Sequence, residues 1–177
     1  SAASDVYKRQ DEDNGANIDL YSGATRTIEI DAKDQHGAGR INVMNASGAT
    51  SLYLDGGDAA GKSRVVTDIL EIRGGADIVE GFEADESYEP GTVMVIDPSD
   101  PGRLRASRES YDQKVAGVVS GAGGVDAGLM LGQNGVLEGD VPVALTGRVW
   151  VKASAENGAI QAGDLLTTAT TPGHAMR

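Results

Sequence analysis

The chain has 177 residues, among them 25 glycines, two histidines and no cysteine, and carries a formal charge of −12. The absence of thiols excludes disulfides, thiolate metal centres and cysteine nucleophiles, and so acidic a chain without clustered Lys and Arg is poorly suited to nucleic-acid phosphates or anionic membrane surfaces. No run approaches the roughly 18 apolar residues of a membrane-inserted helix, and abundant glycine with aromatics at 4% suits short strands, tight turns and a core of Val, Ile, Leu and Ala.

Residues 1–10, SAASDVYKRQ, have neither the apolar segment nor the cleavage site of a signal peptide. They match, codon for codon, the translation of a transposon-type sequencing adapter. They are therefore read as an artefact rather than protein, and the ending TPGHAMR, which stops just after a turn signal, is expected to be a truncation. The acidic run Asp11-Glu12-Asp13-Asn14-Gly15 lacks the ligand spacing and distal Glu of a calcium loop and reads as a solvated terminus.

Residues 17–72 alternate with period two. Strands are expected around Ile18 and Leu20, Thr27 to Ile30, Ile41 and Val43, Leu52 to Leu54, Val65 and Val66, and Ile69 to Ile72. Gly, Asn, Asp and Ser punctuate them. The unit Ile18-Asp19-Leu20, Gly23-Ala24-Thr25, Ile28-Glu29-Ile30 recurs about every 24 residues as Ile41-Asn42-Val43, Gly48-Ala49-Thr50, Leu52-Tyr53-Leu54. A lone hairpin cannot bury its own apolar face, so such units must stack on neighbours or on other copies. A stalk, a β-solenoid and a trimeric prism all satisfy that requirement.

Gly56-Gly57-Asp58-Ala59-Ala60-Gly61-Lys62-Ser63 matches the phosphate-loop pattern, and Val93 to Asp97 imitates the strand that carries its partner acid. That chemistry needs a helix after the loop, whose N-terminus helps to cradle phosphate. The β-branched run from Arg64 to Ile72, next in the chain, is a strand former. Gly56, Gly61, Lys62 and Ser63 are therefore assigned to hairpin turns, and no cofactor is expected.

From residue 74 the texture changes. Pro90-Gly91, Asp97-Pro98, Asp100-Pro101 and Pro172-Gly173 mark turns between expected strands at 92–96, 114–119, 141–145, 148–152 and 164–168, and residues 121–135 read as a long glycine-rich loop. Residues 11–73 thus form a repeat region and 74–177 a compact domain, barrel-like or β-clip-like, in an all-β protein. His36 and His174 stand too far apart for a histidine zinc site, and no metal site is expected. Ser107, Ser110 and Ser120 have no neighbouring base in sequence, while Tyr111, Asp112 and Trp150 read as packing and turn residues.

The run Gly75-Ala76-Asp77-Ile78-Val79-Glu80-Gly81-Phe82-Glu83 resembles the G-A-D-x-x-E-x-F entry of a group of phage tail-appendage and bacterial surface-protein C-terminal domains, which includes the peptidase G2, or intramolecular chaperone, autoproteolytic domains. Blocks at 89–92, 95–97, 115–121, 163–168 and 171–176 resemble that group too, and 141–149 is most similar to its uncharacterised bacterial members. The resemblance implies a trimer and a location on a virion or cell surface. In the cleaving members it implies acid-type self-cleavage beside this entry, with Asp77 and Glu80 as base and acid. Here Gly75 stands where a hydroxyl residue would supply a nucleophile, and both carboxylates are equally well explained as turn and solvated-face residues. The sequence therefore points first to a structural module for folding, oligomerisation or display. A single-turnover autoprotease is the alternative, and glycan or receptor binding, which would need exposed aromatics, the third.

Overall fold

The computed structural model describes residues 6–11, 15–32, 37–57, 59–133 and 135–177. The protein is all-β: among the described residues, apart from one 3-10 turn at Ala122–Gly124, the regular elements are strands. It divides into two compact units, the first ending at Glu71 and the second beginning at Ile72.

The first unit is one antiparallel meander of β1 (Val6–Asp11), β2 (Gly15–Ser22), β3 (Thr25–Asp31), β4 (Arg40–Met44), β5 (Thr50–Asp55) and β6 (Arg64–Thr67), in chain order. The two segments aligned by the sequence repeat are the successive hairpins β2–β3 and β4–β5. β1, built largely from the stretch read as adapter, pairs along β2 from Val6 opposite Leu20 to Asp11 opposite Gly15. An exposed strand edge bonds through its main chain and demands no particular side chains of its partner.

Register sorts the side chains of this sheet into two faces. Ile18, Ile30, Ile41, Leu54 and Val65 lie opposite one another across five strands, and Leu20, Ile28, Val43, Leu52 and Thr67 form the parallel row. The other face carries Asp19, Glu29, Asn42 and Tyr53 in one row and Arg40, Asp55 and Arg64 in the next. That polar face is the better covered. Asp19, Asn42 and Asp55 are buried beneath Arg26, which pairs with Asp19 at 3.4 Å, Arg64, which reaches Asp55 at 3.3 Å, and Arg40, stacked 4.0 Å from the Tyr53 ring centre. Residues 69–72, expected as a further strand, are not one. Ile69, 81% exposed, and Leu70 have no neighbouring strand to satisfy their backbone, which period-two patterning does not provide.

The second unit is built on β7 (Asp77–Phe82), β8 (Val93–Asp97), β9 (Asp100–Ala106), β10 (Val115–Val119), β11 (Ala127–Leu131) and β12 (Val141–Gly147), in the spatial order β11-β7-β12-β10-β8-β9. The sheet is open, with β11 and β9 at its ends. One face packs a core of Met94, Leu104, Val119 and Val143, with Phe82, Ala84, Tyr88, Ala116 and Val141 against it. The opposite face carries the cross-strand row Val79, Ala144, Val118, Val93. The C-terminal segment, with β13 (Thr167–Thr168) and β14 (Ala175–Met176), closes over this face, and Val149, Val151 and Leu166 line an apolar cavity of about 250 Å³ against Val93 and Val118.

Three expectations are corrected in this unit. The loop expected at 121–135 contains β11, which pairs in parallel with β7; glycines hide a strand whose pairing is long-range. Residues 148–152 leave the sheet, and their ends are tied where Arg148 N donates to Ala76 O (3.1 Å) and Lys152 N to Gly91 O (2.8 Å). The strand expected at 164–168 shrinks to Thr167–Thr168, because only β14 is there to pair with it.

Candidate functional site

Asp77 and Glu80 both lie on β7, three residues apart. Successive side chains of a strand point to opposite faces, so this spacing separates them. Asp77 shares a face with the buried Val79, while Glu80 lies opposite Val143 on the side of the Met94 core. The pair is not brought together, and no proton can pass directly from one carboxyl to the other across the sheet. Asp77 is not the solvated residue that its charge suggests. It is only 4% exposed, and neither carboxylate oxygen has a hydrogen-bond partner among the described residues. β12 lies against it, with Gly147 directly opposite, and β11 flanks its other side through Ala127. Glu80 is half-buried in an open cleft with Phe82, Arg103, Leu137 and Glu138.

The phosphate-loop match joins two antiparallel strands, with Asp55 of β5 opposite Arg64 of β6. Ser63 Oγ donates to Gly56 O at 2.9 Å, and the Gly57 amide donates to the Asp55 carboxylate at 3.1 Å. These bonds close the loop on itself, and the strand β6 stands where phosphate binding needs a helix. Asp58, inside the match, lies outside the described residues, as do His36 and most of the acidic run 11–15.

Neither buried serine is activated. Among the described residues the Ser107 and Ser120 hydroxyls have no hydrogen-bond partner, and so no base that draws on their protons. His174 Nδ1 is 2.7 Å from Pro172 O, which ties the ring to its own turn. Ser110 sits half-buried in the turn before Tyr111. Among the described residues no three His, Cys, Asp or Glu side chains converge as a metal site would require.

The displaced carboxyl groups belong to structural ties. Asp112 is held below the ordinary carboxylate range by the side chain of Lys114, at 2.7 Å, and then by the Lys114 backbone N–H. Burial, followed by a 2.6 Å hydrogen bond to Asp85, pushes the Tyr88 phenol up to about 12. Glu156 accepts from the N–H and hydroxyl groups of both Thr170 and Thr171 and from the Ser154 hydroxyl, and the Thr170 N–H does most to lower its carboxyl to about 2.

Two features remain that local sequence did not signal as sites. One is the apolar face of the first unit, where Ile30, Ile41, Leu54 and Val65 are 39%, 37%, 42% and 63% exposed around a shallow groove of about 610 Å³. Its strands were legible by alternation, but only register aligns them into continuous rows. The other is a cleft of about 600 Å³ in the second unit, formed by Ala76, Val125, Gly147, Arg148, Val149 and Trp150. Comparison with family models, with curated proteins and with solved structures finds nothing that matches this chain.

Proposed function

We propose that the chain is a structural assembly module whose first unit associates with further copies of itself, as part of a phage tail-appendage or bacterial surface protein. The observation that carries this reading is the apolar ladder, exposed at Ile30, Ile41, Leu54 and Val65 and half-buried at its other positions. Ten positions in two rows across β2 to β6 hold nine aliphatic side chains and Thr67, with no charge among them. A single sheet layer cannot bury such a face, and stable domains place a second layer on it. Covering a Val, Leu or Ile that is about 40% exposed contributes about 1 kcal/mol, so Ile30, Ile41, Leu54 and Val65 together contribute several kcal/mol per copy.

Copies of this chain are the occupant that the charge pattern favours. Each carries −12, so two copies repel except where they meet through an uncharged surface. The apolar face is such a surface, and the ionic groups of this sheet lie on the other side. The number of copies, three, and the extracellular or virion setting come from the resemblance at 75–83. Sedimentation over a concentration series tests the reading: wild type associates, and Leu54→Lys, which places a charge in the middle of the row, shifts it to monomer. A wild-type chain that stays monomeric at every accessible concentration would sink the proposal.

Self-cleavage remains the second reading because Asp77, beside Ala76, is a buried carboxyl group without a hydrogen-bond partner among the described residues. With Glu80 on the other face, any such step would depend on Asp77 alone. Denatured intact mass tracked over days separates the readings. The assembly reading expects a constant mass in wild type, and a break near residues 75–77 that disappears in Asp77→Ala would establish cleavage.

A further inference from the structure

We infer that the Trp150 cleft is a binding site for a saccharide bearing a carboxylate, of the uronic-acid type. The indole is carried on a segment fixed at both ends. Residues 148–152 are tied to the body of the unit by Arg148 N to Ala76 O and by Lys152 N to Gly91 O. Val149 and Val151 line the apolar cavity, while Trp150 between them is 63% exposed and lines the cleft. The Ala122–Gly124 turn then fixes the ring. A Cβ added to Gly123, whose φ is 64°, would lie 2.5 Å from the indole Cδ1, so the ring rests directly on bare backbone.

An exposed tryptophan contributes little to a core, and its position as one wall of a cleft gives the rigid ring a different use. Its flat apolar face stacks on the C–H face of a sugar ring, and a platform already fixed loses little entropy when a ligand arrives. Ala76, Val125 and Val149 complete the apolar walls, while Arg148 stands at the rim. Among the described residues the Arg148 guanidinium has no ion-pair partner, despite the acidity of the chain. Guanidinium binds carboxylate through two parallel hydrogen bonds, which selects an acidic sugar over a neutral one.

Trp150 is the sole tryptophan, so indole emission, excited at wavelengths that tyrosine does not absorb, reports on this site alone. Titration with trigalacturonate is expected to change the emission saturably, with its methyl-esterified form weaker by about tenfold and sodium acetate without effect. Arg148→Gln should remove the preference for the acid and leave the ester unchanged. Gly123→Ala, whose fold is checked by circular dichroism, should weaken both by displacing the ring. No saturable change with trigalacturonate, equal potency of acetate, or an Arg148→Gln variant that still prefers the acid would each overturn the assignment.

Discussion

Glu156 shows how one exposed carboxylate can organise a chain terminus. Five donors from Ser154, Thr170 and Thr171 converge on it and hold its carboxyl at about 2, against an ordinary 4.5. A carboxyl depressed in the folded state stabilises that state at pH values above its unfolded value, and the contribution is lost as pH falls through the folded value. The tie between residues 154–156 and 170–171 is therefore expected to weaken between pH 4.5 and about 2. In Glu156→Gln, urea midpoints of the second unit measured across that window should be flatter than in wild type. Asp77 presents a different case, a buried carboxyl group whose oxygens have no hydrogen-bond partner among the described residues. Asp77→Asn replaces a buried ionisable group with little change of shape and is expected to raise stability by about 1 kcal/mol. Thermal unfolding of the two forms checks this, and a large loss would mean that Asp77 has a partner in the assembled protein.

At the scale of elements, β10 depends on a close approach. β8 and β10 slip register between Val115 and Gly117, and a Cβ on Gly117 would come within 2.3 Å of Ala144 O and 2.6 Å of Val143 Cγ1. Gly117→Ala must push β10 away from β12 at the centre of the sheet. It should destabilise the second unit by roughly 2–3 kcal/mol in denaturant titrations. β1 contrasts with this, since what it shows is a main-chain register along β2. A chain beginning at Asp11 is expected to keep the unfolding midpoint of the second unit unchanged, because β1 belongs to the first.

The whole molecule is two units of different character. The second has buried aliphatic residues on both faces of its sheet, while the first has a single sheet whose apolar face is partly exposed. If copies of the chain cover that face, the Leu54→Lys monomer should lose the unfolding transition of the first unit to lower temperature and keep that of the second, as calorimetry would resolve. Added salt should strengthen wild-type association, because it screens the repulsion between copies that each carry −12. Association that weakens steadily with salt would point to ion pairing rather than apolar packing.

The sequence by itself determined the all-β class, most strand positions before residue 73 and the strand character of the run after the phosphate-loop match. Alternation, turn residues and the missing helical period are local, and these properties are set by local chemistry. Only the tertiary structure decided that Asp77 is buried and that Glu80 faces the other way, since burial depends on β11 and β12, far away in the chain. It also decided that 148–152 leaves the sheet with Trp150 exposed, and that aliphatic residues of five strands align into partly exposed rows. Pairing and register are long-range, and a one-residue slip would have moved every side chain to the opposite face.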